Sequence, residues 1–252
     1  MPRAKFHRVY FVRRILAHGR VALVAKEVLS VVEFFPRLLP RQLDEAGAVR
    51  LQRIMEGMGF SFRLGARTRE VTGGEGVRGV RLESGETLSA GMVIISAGVR
   101  SNLEMAEAMR LDHDRGIKVE ERMMTSRLEI YAAGDVAEFK GMTYGIWPAA
   151  MEQGWVAGAN MGGGDLRYEG TTMANTLKVA GIDLASAGNI DAEDKLESRV
   201  VTDENSYKKI VIENDRIAGC IMLGDTKDFS RITKMMSEKQ DVSQIKDQVL
   251  SG

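Results

Sequence analysis

The chain has 252 residues, 44% of them hydrophobic, and its 35 basic and 35 acidic residues cancel. This is enough apolar material for one large globular domain or two smaller ones, and the balanced charge excludes a global field that would draw the protein to nucleic acid or to an anionic membrane. With no apolar run near the roughly 18 residues of a spanning helix, a single cysteine and three scattered histidines (His7, His18, His113), the sequence reads as a cytoplasmic protein without an internal disulfide or a metal site.

The first 26 residues carry seven basic side chains, from Arg3 to Lys26, and no acidic one. They suit an Arg-rich arm, or a solvated helix face with an apolar stripe at Val9, Val12, Leu16 and Leu23. They also suit a segment foreign to the rest of the chain, and residues 1–27 are taken as unassigned. From Val28 a strand pattern ends in Glu33. An acid closing the second strand of a βαβ unit is where a dinucleotide fold holds the adenosine ribose hydroxyls, and its charge repels the extra phosphate of NADP, so Glu33 points to NAD. An exposed acid at a strand end is the plain alternative. Asp44 suits the N-cap of a helix with Val49, Leu51, Ile54, Met55 and Met58 broadly on one side and Gly59 as its stop. Strands follow at Phe60–Leu64, Val77–Glu83 and Glu86–Ser89. Met92–Ser96 is a continuous apolar run, as a parallel strand covered on both faces should be, and it leads into the loop Ala97-Gly98-Val99-Arg100-Ser101-Asn102.

After Gly116–Val119 comes the stretch from Thr125 to Val136. Its short apolar run Ile130–Ala133 stops at Gly134-Asp135, which predicts a buried strand ending at the carboxyl edge of a sheet, where α/β sheets bind ligands. Gly134 lets another molecule approach the backbone, and Asp135 offers a carboxylate to ligand hydroxyls. A simple strand-terminating turn would use the same two residues. Beyond it, Pro148 fits the first turn of a helix running to Met161. The free N–H groups at Ile146-Trp147 would then face whatever the preceding strand binds.

Thr125 with Ile130–Asp135 resembles the second flavin motif of the FAD-dependent pyridine nucleotide (disulfide) oxidoreductases. The resemblance implies that Asp135, beside Gly134, binds the ribityl chain of FAD. It implies that the helix N-terminus at Ile146-Trp147 points at the pyrimidine end of the flavin, where negative charge accumulates on reduction. The loop at 97–102 resembles the one that closes the family's nicotinamide dinucleotide domain and lies against NAD(H), with Gly98 as the close-approach residue. Residues 28–104 then read as the remnant of an NAD(P)-binding domain and 105–163 as the C-terminal segment of an FAD-binding domain.

Gly162-Gly163-Gly164 is a flexible break. Residues 165–252 read as a small α+β domain with strands at Thr176–Ala180, Ile182–Ala187, Ser198–Thr202, Tyr207–Ile212 and Arg216–Leu223. Helices are expected at Asp225–Glu238 and Val242–Leu250. This layout resembles the C-terminal domain of the rubredoxin-reductase-like and nitrite-reductase-like branch. Cys220, inside an apolar run, reads as a packing residue, and the methionines read as core filler. The expected fold class is α/β, with partial Rossmann-like nucleotide-binding domains. A G-x-G-x-x-G segment for the ADP part of FAD is absent, and the second glycine-rich turn, due about 20 residues before Glu33, is replaced by the bulky Tyr10–Leu16, so the resemblance begins near Val28. Two functions are compatible with these readings. One is an oxidoreductase passing electrons from NADH through FAD to rubredoxin or another small redox protein, with no side chain as nucleophile. The other is a non-catalytic fragment that needs a separate N-terminal half, or a homodimer.

Overall fold

The computed structural model describes residues 8–12, 28–96 and 98–250. They divide into two compact units, Met1–Gly98 with Ala174–Gly252, and Val99–Met173. In the first unit, strands β1 (Arg8–Val12), β2 (Val28–Val32), β3 (Phe60–Arg63) and β7 (Met92–Ile95) form a parallel sheet in the order β3-β2-β1-β7. The segment expected to stand outside the fold therefore supplies an inner strand. Val9-Tyr10-Phe11-Val12 is a β-branched and aromatic run of the kind that forms strands, and the arginines around it concealed the pattern. Residues 13–27, with Leu16, Leu23 and the place of the expected glycine-rich turn, lie outside the described residues.

A three-stranded antiparallel sheet, β4 (Thr68–Gly73), β5 (Val77–Leu82) and β6 (Thr87–Ser89), follows β3. Val80, Leu82 and Leu88 pack with Val32 and Ala90 in a small core. Helix α1 (Glu45–Gly57) begins where Asp44 caps it, its carboxylate accepting the Gly47 N–H at 2.9 Å. It stops before Gly59, whose φ of +95° an L side chain rarely adopts. Ala48, Leu51 and Met55 are its buried apolar residues, whereas Val49 and Met58, expected on the apolar side, are exposed.

The C-terminal part of this unit is a five-stranded antiparallel sheet in the order β10-β11-β14-β13-β12, built from β10 (Ala174–Val179), β11 (Ile182–Gly188), β12 (Glu197–Thr202), β13 (Tyr207–Glu213) and β14 (Arg216–Leu223). One core joins Leu51 and Met55 of α1 to Leu184, Ile221 and Leu223 of this sheet, so the expected dinucleotide remnant and C-terminal domain share their interior. A second core on the sheet buries Cys220 with Ile232 and Met235 of α4 (Phe229–Ser237). The helix expected at Val242–Leu250 is instead a succession of turns, its Ile245 and Val249 N–H groups bonded to Val242 and Ile245 carbonyls.

The second unit contains α2 (Glu104–Ala108), the parallel pair β8 (Ile117–Val119) and β9 (Ala137–Phe139), and α3 (Trp147–Met161). The strand expected at Ile130–Ala133 is extended chain with a single bridge, Met124 to Tyr131. The chain turns back at Arg127–Glu129, with Glu129 at φ +64°, and is pinned by the Thr125 N–H on the Ile130 carbonyl and the Ala132 N–H on the Met123 carbonyl. Among the described residues no helix is long and apolar enough to cross a membrane, and no cluster of His, Cys, Asp or Glu could hold a metal ion.

Candidate functional site

Two sets of expected site residues are each brought together within one unit. In the second unit the Thr125–Val136 stretch ends in a 3₁₀ turn, Gly134–Val136. Gly134 has φ +80°, and a Cβ there would meet the Ala150 Cβ of α3 at an ordinary 3.6 Å. The backbone conformation, more than crowding, is what calls for glycine. The Gly134 N–H donates to Gln153 Oε1 of α3 at 2.8 Å, and the Ser101 hydroxyl donates to the Asp135 carbonyl at 2.9 Å. With its backbone held on both sides, Asp135 turns an exposed carboxylate outward, and that carboxylate has no hydrogen-bond or ion-pair partner among the described residues.

Helix α3 starts behind this turn. Its N-cap residue Ile146 is extended and gives no side-chain cap, and Pro148 lies in the first turn. The first-turn N–H groups therefore remain open to an acceptor. Gln153 is wholly buried, and its Nε2 has no hydrogen-bond partner among the described residues. An unpaired carboxylate, an uncapped helix start and an orphaned amide donor in one place suit a ligand with hydroxyls and an electronegative edge. Gln153 and Ser101 escaped the sequence reading. The one available signal was a glutamine in phase with Ala149, Val156 and Ala157 on the apolar side of α3.

In the first unit the carboxyl ends of the parallel strands carry the other set. Glu33 directly follows β2, and one carboxylate oxygen accepts the Phe35 N–H at 3.0 Å. Its backbone extends the pairing of β2 with β3, the Glu33 N–H bonding the Arg63 carbonyl at 2.9 Å and its carbonyl accepting the Ala66 N–H at 3.0 Å. Gly98 lies just beyond β7 at φ +85°, with no atom within 4 Å of where a Cβ would stand. Glu33 and Gly98 thus sit on the same edge of one sheet.

A four-strand parallel sheet in the order β3-β2-β1-β7 is the arrangement of a Rossmann-like α/β protein. The model of the pyridine nucleotide-disulphide oxidoreductases matches residues 19–154, so the match opens ahead of the Val28 expected from sequence, and that of the rubredoxin NAD+ reductase C-terminal domain matches residues 174–240. The chain belongs to the pyridine nucleotide-disulphide oxidoreductase family. It is 33% identical over 219 residues to a nitrite reductase [NAD(P)H] of Bacillus subtilis, covering 86% of this chain and 27% of that one. It is 29% identical to an NADH-rubredoxin oxidoreductase of Clostridium acetobutylicum, covering 82% of this chain and 51% of that one. The crystal structure of NADH:rubredoxin oxidoreductase from Clostridium acetobutylicum superposes with a TM-score of 0.70 at 27% identity, covering 95% of this chain and 60% of that one. The chain thus spans between about a quarter and a half of the length of these curated relatives.

Proposed function

We propose that the protein is part of an FAD-dependent NADH oxidoreductase whose electrons leave to a small redox protein of the rubredoxin kind. The observation that carries this reading is Asp135, an exposed, unpartnered carboxylate on a turn that Gln153 and Ser101 hold rigid beside the uncapped start of α3. When bound, FAD supplies the hydride and electron chemistry, and no side chain need act as nucleophile. Asp135 would accept hydrogen bonds from the ribityl hydroxyls. The open N–H groups at Ile146 and Trp147 would favour negative charge at the ring end. Gln153 would keep Gly134 in its left-handed conformation. Glu33 would take the ribose hydroxyls of NADH, and its charge would weigh against a 2′-phosphate. Gly98 would leave room for the cofactor to pass close to the backbone. The acceptor is suggested by the match to a rubredoxin NAD+ reductase C-terminal domain and by the NADH-rubredoxin oxidoreductase relative.

The test is the absorbance of the protein mixed with FAD, with and without the N-terminal part of a full-length relative, before and after NADH is added anaerobically. The reading expects a protein-bound flavin spectrum that NADH bleaches. A flavin that stays free in both mixtures would overturn it.

A second reading, a fragment that works only when complemented, is favoured by the outer side of α3. Trp147, Met151 and Trp155 recur at four-residue spacing and are 78%, 59% and 73% exposed. Such an apolar stripe is ordinarily covered. In this reading a separate N-terminal half, or a second copy, covers the stripe, and activity appears only in the mixture.

A further inference from the structure

Residues 155–173 lie between the two family matches and are covered by neither, and the last of them form a strap that grips the start of α3. Asn160 fixes where the strap begins, its side-chain amide donating to the Arg122 and Leu166 carbonyls at 2.9 Å and accepting the Leu166 N–H at 2.8 Å. The Tyr168 N–H then bonds the Glu121 carbonyl at 2.7 Å, and the Tyr168 ring, 2% exposed, packs on Phe139 at 5.0 Å and edge-on with Tyr144 at 5.9 Å. Thr171 stands in the middle of a chain of hydroxyls. Its proton goes to the Glu152 carboxylate, so the Tyr168 hydroxyl must donate to the Thr171 oxygen, at 2.7 Å. The Tyr144 hydroxyl is bonded to that of Tyr168 and to the Thr171 backbone, and burial followed by the Tyr168 contact pushes its pKa up to about 12, which keeps it protonated at neutral pH. Gly170, at φ +112°, passes so near that a Cβ there would stand 3.1 Å from the Tyr144 oxygen.

Tyr144 lies two residues ahead of the α3 N-cap, Ile146, and Glu152 lies in the second turn of the helix. One strap thus ties the chain entering the helix to the helix itself, on either side of the free first-turn N–H groups. A capping Ser or Asp at position 146 would also fix the helix start, but it would consume one of those donors. The strap fixes it and leaves them open. We infer that Tyr144, Tyr168, Thr171 and Glu152 are positioning residues, whose hydroxyl chain sets the direction in which the α3 N–H groups meet the electronegative edge of their ligand. This rests on the flavin reading of α3 given above and assigns the aim of the helix start to side chains outside its first turn. Donors held in advance need no reorientation when the acceptor arrives. Because every hydroxyl in the chain points toward one carboxylate, removing the middle one uncouples both ends.

The experiment compares the 252-residue chain with Thr171→Val, which keeps the side-chain shape and removes the hydroxyl, with Tyr144→Phe, and with the conservative Thr171→Ser. Hydrogen exchange of the proteins without cofactor is read at the Ala150 amide, which bonds the Ile146 carbonyl at 3.1 Å and so reports on the first turn of α3. Loss of one hydrogen bond is expected to speed that exchange about 2- to 10-fold in Thr171→Val and Tyr144→Phe, while Thr171→Ser keeps the parent rate. In the presence of the N-terminal part of a full-length relative, FAD is expected to bind the same two variants about 2- to 10-fold more weakly, with the serine variant again like the parent. Unchanged exchange at Ala150 would overturn the inference, and so would equal acceleration in β8 and β9, which would show a general loosening of the unit. Faster exchange at Ala150 with undiminished FAD affinity would overturn it too, and would leave the flavin reading standing. A parent chain that binds no FAD even with the added part would take down the flavin reading itself, and the role of the strap with it.

Discussion

Asp135 is the residue on which the flavin reading turns. Replacing it with alanine removes a charge-assisted hydrogen bond from the ligand and should cost about 1.5–3 kcal/mol of FAD affinity. A titration of the variant in the presence of a complementing N-terminal part, giving the parent's dissociation constant, would reject the assignment. Gln153 acts one step further back. Gln153→Leu removes the acceptor of the Gly134 N–H, and because that donor is left unpaired the turn should loosen. The expected result is weaker FAD binding with an altered absorption envelope, since the ring end is held less firmly. Cys220 illustrates the opposite case, a reactive group made inert. Burial pushes its thiol up to about 12, so at pH 8 only about one molecule in ten thousand carries the thiolate that reacts. Alkylation at pH 8 should therefore be very slow in the native protein and fast in urea, and rapid native labelling would show that the core around α4 is open.

At the level of elements, α1 is fastened by a buried polar knot as well as by its apolar side. Asp44 caps the helix, accepts the Tyr207 hydroxyl at 2.7 Å and pairs with Lys209 at 3.1 Å, and Asp44 and Lys209 are each 1% exposed. Lys209 also reaches Asp194. Burial works against the Lys209 charge, but Asp194 and Asp44 hold its pKa above the usual value, while burial and Asp44 raise that of Tyr207. Both raised groups contribute stability below their unfolded values and lose it as pH climbs through the folded ones. The knot should thus make its full, pH-independent contribution to thermal stability through the neutral range and lose it above about pH 10. Asp44→Asn keeps a cap oxygen but leaves the lysine short of one anion, and should cost about 3 kcal/mol. That corresponds to a melting temperature lower by roughly 6–12 °C for a unit of this size. A shift of under a degree would mean that Asp194 alone suffices. The cap itself was legible, because an Asp ahead of an apolar helix and a Gly after it are local signals. So were Glu33 and Asp135, each at the end of an apolar run. The partners of Asp44 were not legible, since nothing near it in the chain announces a tyrosine and a lysine 163 and 165 residues away. Strand β1 was hidden by its charged flanks. The Ile130–Ala133 run was misread because its composition is that of a strand, while the turn that shortens it depends on Glu129 in a left-handed conformation.

For the whole molecule, the two tryptophans are the chain's only ones, and both lie on the exposed stripe of α3. Fluorescence therefore reports on that stripe with no background. The isolated protein should emit as hydrated indole and be quenched readily by iodide. Adding a segment that covers the stripe should shift the emission to the blue and, in the same mixture, raise NADH consumption with an artificial electron acceptor and FAD. Blue, protected emission from the isolated chain would mean that the stripe is already covered, and equal turnover with and without the added segment would remove the case for complementation. The Asp44 knot has a further consequence, for the order of events during synthesis. Its partners leave the ribosome only after another 163 residues have been made, which at about 5–20 residues per second is roughly 8–30 s. For that interval Leu51 and Met55 lack Leu184, Ile221 and Leu223, which share their core in the finished fold, and the nascent chain carries a partly uncovered helix that a chaperone can hold. Acquisition of the native state is consequently tied to completion of β13 and β14, and a ribosome stalled before Tyr207 would display a chain that proteases recognise as unfinished.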